Sequence, residues 1–333
     1  DLTDLETLDL FGTSITTLPD ELFTGHQQLW AGLLLDWSGI EPSTAMRAYE
    51  RLRTHPVRTV DLEKWTIAYC TGCLPRFMPH DRLFASTVIT RWSLGEQAVA
   101  ELMRRVNGLH EEHYRFAEAL EAWVSQDPET TQTLLRRQAA AKIPRCWRAG
   151  ISPRLGLEDA GAGPSWRVST VNQELDLADE IISSLPPVPG GQAFAHVHRL
   201  NLSELEVAVE EMDRFLQAFG QLRELDLSRN GLDLLPNALG DLRQLTDLNL
   251  AHNELVMSPS LQMHLSGLRG LVRLNLQGNR VTALDIGALT KLESLDLSHT
   301  AIRSWPAGVF DLPLLRFLDM SNSAIRTVPA TAL

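Results

Sequence analysis

A parallel α/β solenoid interrupted by an α-helical domain is the fold this sequence predicts, on three observations. The first is the string L-x-x-L-x-L-x-x-N-x-L, complete at Leu222, Leu225, Leu227, Asn230 and Leu232. The second is its return from Leu245 (Asn253, Leu255), Leu271 (Asn279, Val281), Leu292 (Thr300, Ile302) and Leu315 (Ser323, Ile325), with starts 23, 26, 21 and 23 residues apart. That spacing is leucine-rich-repeat spacing. The third is a change to 3.6-residue periodicity between the repeat blocks. Such a unit cannot bury its apolar face alone, so stacked neighbours make the core.

Weaker copies extend the array. Val197-x-x-Leu200-x-Leu202-x-x-Leu205-x-Val207 fits, as does Leu175-x-Leu177-x-x-Glu180-x-Ile182, which runs into Leu185-Pro-Pro-Val-Pro189. At the N-terminus, Leu5-x-x-Leu8-x-Leu10-x-x-Thr13-x-Ile15 is clear, and Trp30-x-x-Leu33-x-Leu35-x-x-Ser38-x-Ile40 is a degenerate successor. The predicted organisation is two repeats in 1–40, a helical insertion in 41–149, a linker in 150–168 and seven repeats in 169–333. The chain starts inside one repeat and stops inside another, at Val328-Pro329, so it reads as a segment of a longer protein.

Within each unit, L-x-L is a short strand whose leucines point inward, leaving the alternate residues on the concave face. Asn suits the next turn because its amide can satisfy backbone groups left free there. Thr13, Thr300 and Ser323 do so less completely. Proline after the second apolar cluster (Leu18-Pro19, Leu235-Pro236, Trp305-Pro306, Val328-Pro329) fixes φ on the convex return.

The middle block reads as helices. Ser43 to Leu52 is a short amphipathic helix closed before His55-Pro56, and Asp61 to Cys73 puts Leu62, Trp65 and Tyr69 on one face. Ser93-x-x-Glu96 is a capping box opening a long run with Leu102, Val106, Leu109, Phe116, Leu120 and Trp123 inward. Asn107-Gly108 is where that run would kink or divide. Asp127-Pro128 starts a last helix ending near Lys142, before Pro144. Gly150, Pro153, Gly156, Gly161, Gly163 and Pro164 mark the linker.

Composition excludes several functions. Net charge is −12, and acidic residues exceed basic ones in both halves, 22 to 18 before residue 169 and 20 to 12 after it. That argues against nucleic acid as partner. No apolar run approaches the ~20 residues of a membrane span. Three cysteines (Cys70, Cys73, Cys146) make no disulfide framework. Only three of the 30 basic residues are lysines (Lys64, Lys142, Lys291), as codon usage in a GC-rich bacterial genome, or selection against modifiable lysines, would give.

The enzyme-like strings are weak. Cys70-Thr-Gly-Cys73 has no second ligand pair for zinc, with Cys146 and His80 only loose candidates, and it sits at a helix end rather than the helix start of a redox motif. His110-Glu-Glu-His113 has its histidines three apart, where the metalloprotease helix needs four. His196-x-His198 has no third ligand, and Gly161-Ala-Gly163 lacks a phosphate-binding context. Thus no catalytic residue, metal site or cofactor is predicted.

The outward strand positions hold the remaining information. The central one carries Asp9, Asp176, Asn201, Asp226, Asn249, Asn275, Asp296 and Asp319, with Leu34 the exception, and reads as a solvated, mutually hydrogen-bonded ladder. Its flanks vary: Arg199, Glu224, Asp247, Arg273, Ser294 and Phe317 on one side, and Ser228, Arg229, His252, Gln277, His299 and Ser321 on the other. Variation on a regular scaffold is what protein recognition requires. The predicted partner-binding residues are Arg199, Glu224, Arg229, Asp247, His252, Arg273, Gln277, His299 and Phe317, facing a protein ligand.

The Leu-Pro returns, and above all Leu185-Pro-Pro-Val-Pro189, resemble bacterial effector leucine-rich repeats, where an L-P-x-L-P stretch is typical. The mixed array also looks like large toxin-like proteins that pair such repeats with a C-terminal novel-type (NEL) ubiquitin ligase domain. Trp65-x-x-x-Tyr69-Cys70 and Arg91-Trp92 look similar to the helical stretch that interrupts repeats in that group. The resemblance implies recognition of a host protein or restraint of an attached ligase, with ubiquitin machinery as a further partner. It also implies secretion by a bacterium into the host cytoplasm. That family's catalysis rests on Cys-x-Asp, whereas Cys70-Thr-Gly, Cys73-Leu-Pro and Cys146-Trp-Arg all depart from it. A catalytic cysteine would then lie beyond Leu333. The alternatives are a non-enzymatic repeat scaffold or adhesion protein, and an independent enzyme in residues 41–168.

Overall fold

The computed structural model describes residues 5–24, 29–57, 96–126, 131–155, 173–180, 182–205 and 207–329. In chain order these form β1 (Leu8–Asp9), α1 (Asp20–Thr24), β2 (Leu33–Leu34), α2 (Pro42–Thr54), α3 (Glu96–Val124), α4 (Thr131–Ala149) and α5 (Ile151–Leu155). The repeats then supply β3 (Glu174–Asp176), β4 (Arg199–Asn201), α6 (Val209–Leu216), β5 (Glu224–Asp226), β6 (Asp247–Asn249), α7 (Pro259–Gly267), β7 (Arg273–Asn275), β8 (Ser294–Asp296) and β9 (Phe317–Asp319). Two compact units result, residues 1–113 with 151–163, and residues 114–150 with 164–333. The helix expected at Asp61–Cys73, the cap Ser93 and the Asp127-Pro128 start lie outside the described residues.

In the first unit β1 and β2 pair in parallel, Leu8 opposite Leu33 and Asp9 opposite Leu34. Their repeats bury Leu18, Leu22, Phe23, Trp30, Leu35 and Ile40, and Trp30 donates its indole N–H to the Leu22 carbonyl at 3.0 Å. α2 starts on Pro42, whose missing N–H is one the first helical turn does not use, and buries Ala45, Ala48, Tyr49 and Leu52. Arg47 lies over the Phe23 ring at 4.3 Å and pairs with Asp20 at 2.5 Å.

Three sequence expectations fail in the helices, the third at Pro144 in α4. α3 continues undivided through Asn107-Gly108. The ~1 kcal/mol that glycine costs a helix is outweighed by burial of Leu102, Val106 and Leu109 around it. Residues 151–155 are not linker but α5, with Ile151 and Leu155 fully buried and Arg154 gripping Glu112 in two hydrogen bonds of 2.7 and 2.6 Å.

In the second unit seven strands form one parallel sheet in chain order, β3 to β9. The register is leucine on leucine throughout: Leu175, Leu200, Leu225, Leu248, Leu274, Leu295 and Leu318 stand opposite one another. One phase buries six of the seven inward leucines, Leu318 on the last strand being half-buried, so a slip by one residue would turn the whole row outward.

The buried turn asparagines join successive repeats. The Asn253 amide donates to the carbonyls of Leu227 (2.9 Å) and Leu250 (3.0 Å), while its Oδ1 accepts from the N–H groups of Asn230 (3.0 Å) and Leu232 (3.1 Å). One step on, the Asn279 amide likewise donates to the carbonyls of Leu250 and Leu276, while its Oδ1 accepts from the Leu255 N–H alone. Thr300, with one hydroxyl, reaches only Leu297 within its own repeat, at 2.6 Å.

α4 closes the β3 end of this sheet. It was expected to stop before Pro144 but runs on to Ala149 with the proline inside. A proline within a helix costs ~3 kcal/mol, whereas completely burying Ile143 and Trp147 stabilises by ~2 kcal/mol or more each, and packing wins. From α4, Lys142 donates to the Asp176 carbonyl of edge strand β3 at 3.2 Å and pairs with Glu180 at 2.6 Å. Glu180 stands where the template has Asn. Gln132 accepts the Ser183 N–H at 3.2 Å. Phe116, Trp147, Phe194 and Phe219 continue the contact as a chain of rings with centroids 4.9–6.4 Å apart. A sheet edge left open invites foreign strands, and α4 covers this one.

Candidate protein-recognition face

Each strand of the second unit is three residues with one leucine inside, so two side chains per strand face outward. In register they make two rows. The first is Glu174, Arg199, Glu224, Asp247, Arg273, Ser294 and Phe317; the second is Asp176, Asn201, Asp226, Asn249, Asn275, Asp296 and Asp319. All of them but Asp176 and Asp319, together with Leu200, Leu225, Leu248 and Leu274 beneath, line a concavity of about 460 Å³.

The first row is charged and laterally paired. Arg199 meets Glu224 at 3.0 Å, and Arg273 meets Asp247. Thr246 adds a hydroxyl hydrogen bond to the other Asp247 oxygen at 2.7 Å. Phe317 stands at the β9 end, 53% exposed.

In the second row the side chains chiefly bond forward along their own chain. Each accepts, through Oδ1, the backbone N–H two residues on, as in Asp226–Ser228 (2.8 Å), Asn249–Ala251 (3.1 Å), Asp296–Ser298 (2.9 Å) and Asp319–Ser321 (2.8 Å). Asp9 does the same for Phe11 at 2.9 Å. The expected mutually bonded ladder is corrected by these turns, which leave one lateral side-chain bond between row members, Asn249 to Asp226 at 2.8 Å. The reason is distance: the turn N–H lies two residues from the carboxylate, and a strand's end must turn there in any case.

Five of the nine predicted binding residues (Arg199, Glu224, Asp247, Arg273, Phe317) line the concavity. The other four stand on the turns that follow the strands. Arg229, His252 and His299 adopt φ of 56°, 56° and 55°, as do Glu204 and Asn322 at 60° and 54°. Gln277 precedes the matching turn residue, Gly278. The sequence carried a signal for this position: Gly12 and Gly278 fall three residues after the strand Asp or Asn, where left-handed backbone favours glycine. Gly278 also makes room, since a Cβ there would come within 2.7 Å of the His252 ring. The Arg229–Glu204 pair along this row, at 3.6 Å and exposed on both sides, contributes little.

Elsewhere the chemistry is quiet. Cys146 Sγ lies 3.9 Å from His196 Nε2, but burial pushes its thiol up to about 12, so it stays protonated and non-nucleophilic at neutral pH. His198 is lowered from its ordinary value, by burial first and by Arg223 second. Cys70 and Cys73 lie outside the described residues. Among the described residues no group of three or more His, Cys, Asp or Glu could hold a metal ion, and no helix is long and apolar enough to cross a membrane.

Residues 264–325 match the model of the family described as Leucine rich repeat, and residues 221–242 match a second model of the same description. Mouse (Mus musculus) vasorin is 33% identical over 139 residues, 40% of this chain and 19% of that protein. Pig (Sus scrofa) fibromodulin is 38% identical over 90 residues, 27% of this chain and 59% of that protein. Mouse leucine-rich repeat serine/threonine-protein kinase 1 is 29% identical over 196 residues, 54% of this chain and 10% of that protein. The chain thus spans between a tenth and three fifths of the length of these relatives. Among solved structures, an internalin from Listeria monocytogenes aligns with a TM-score of 0.35 at 19% identity, covering 42% of this chain and 40% of that one. With the seven-stranded sheet, the family matches make the C-terminal block a leucine-rich-repeat solenoid, a repeat class that points to protein–protein interaction.

Proposed function

We propose that the seven-repeat array is a protein-recognition module whose partner seats across the concave face. One observation carries this reading. The fold requires only the inward leucine of each strand, yet the outward first row changes residue type at nearly every step and ends on an exposed phenylalanine. Seven strands at ~4.8 Å spacing make a face roughly 30 Å long, enough for a standard ~800 Å² per partner. Phe317 is the anchor, since an exposed aromatic adds little to this fold yet can fill a partner's pocket. Alanine at Phe317 and at Arg273 should leave the melting temperature nearly unchanged and weaken a captured partner by ~1–3 kcal/mol each. Affinity that survives both changes and is lost on substituting the return turns would contradict the assignment.

Within this reading, the module belongs to a bacterial effector or toxin that selects a host protein or restrains an attached ubiquitin ligase domain. The Leu-Pro returns support that role. A non-enzymatic scaffold or adhesion protein would use the same face. The full-length parent separates the two: a reducible ubiquitin thioester on a cysteine beyond Leu333 means a ligase, and none means a scaffold.

A further inference from the structure

The Asp and Asn residues of the second row do one structural job, and the array itself shows that a carboxylate is not needed for it. Asn201, Asn249 and Asn275 accept the turn N–H at 3.1, 3.1 and 2.9 Å, as Asp296 and Asp319 do at 2.9 and 2.8 Å. Asp296 and Asp319 stand directly opposite each other on neighbouring strands, and hydrogen bonds from the Ser321 N–H and hydroxyl, helped by His299, hold the Asp319 carboxyl below its ordinary value. The two guanidiniums of the concave rows, Arg199 and Arg273, are already paired with Glu224 and Asp247. Asp296 therefore lines the open concavity beside exposed Phe317, with Asp319 next to it on the neighbouring strand, each carrying a charge that the turn does not require.

Resting on the concave-face reading, we infer that the partner presents an extended basic segment to β5–β9. One of its arginines or lysines sits between Asp296 and Asp319, with an apolar side chain against Phe317. Asp226 to Asp319 covers four strand spacings, ~19 Å, which about six extended residues span. Asp226 would then take a second cation at the far end. A cation between Asp296 and Asp319 meets two carboxylates that neither concave-row guanidinium pairs, which favours this occupant over a neutral or acidic one.

The test uses a fluorescein-labelled decapeptide of alternating arginine and leucine, with an alternating glutamate–leucine decapeptide as its counterpart. Anisotropy is read against the whole chain at low salt. The Arg–Leu peptide is expected to bind, and Asp296→Asn with Asp319→Asn should weaken it roughly tenfold or more, as loss of hydrogen bonds to charged groups does. That variant should stay folded, with a melting temperature close to the parent's, since asparagine keeps the turn bond. Asp241→Asn with Asp311→Asn, the same change of net charge on exposed return turns, should leave binding unchanged. No binding of the Arg–Leu peptide, or equal weakening by both double variants, overturns the inference. Binding of the Glu–Leu peptide instead, lost on Arg273→Ala, would reverse the partner's charge while keeping the concave face. Binding of either peptide that ignores every concave substitution would remove both readings.

Discussion

Asn253 makes four hydrogen bonds from one buried amide, two of them to the preceding repeat's turn N–H groups. Alanine there leaves buried backbone donors and acceptors unsatisfied, at ~1–3 kcal/mol for each group that water cannot reach. Denaturant unfolding should show Asn253→Ala losing ~3 kcal/mol and Thr300→Ala, with its single bond, ~1 kcal/mol. Equal losses would show that the amide does not join the repeats. The residue's place in the turn is readable from the template; its reach into the repeat before it is not, because that depends on stacking register. Histidine 198 supplies the pH dependence at this scale. Its folded value lies below the ordinary 6.5, chiefly because burial disfavours the charged ring. The unfolded chain therefore binds the proton more readily, so the stability His198 contributes is complete above pH 6.5 and is lost as pH falls toward the folded value. Melting temperatures followed downward from pH 7 should fall less steeply for His198→Gln than for the parent; parallel curves would refute this.

At the scale of elements, the repeats were legible and the cap was not. The strand pattern, recurring every 21 to 26 residues, survives even in degenerate copies such as Trp30 to Ile40, because each strand must place one leucine inward. α4 has no such repeat to betray its role. Its Pro144 predicts a stop, and only the fully buried Trp147 and Ile143 reveal why the helix continues. Glu180 in place of the template's asparagine looks like a defect in sequence, yet it is the site where Lys142 docks. Removing one partner of a buried pair costs ~3–5 kcal/mol, but Lys142 is 43% exposed, so water can replace part of it and ~1–3 kcal/mol is the expected loss for Lys142→Ala. Lys142→Met with Glu180→Gln should recover most of that loss in the same unfolding measurement. A double variant as weak as the single one would mean the ion pair is not what docks α4.

Across the whole molecule, composition argued early against nucleic acid, and the concave face now shows where the acidity gathers: seven carboxylates against two guanidiniums in its two rows. The face itself was readable from L-x-L alternation alone. The division between trough and turn was not, because Arg229, His252 and His299 follow the strand closely enough to pass for part of it until their left-handed backbone is seen. Recognition by the concave face is the central claim, and site-specific photocrosslinking tests it most directly. A benzophenone side chain is placed singly at Ser294 and Phe317 on the concave rows, and at Asp241 and Met263 on the return segments. The array's bound protein partner should form covalent adducts from Ser294 and Phe317 and none from Asp241 or Met263. Adducts from the return positions alone would contradict it.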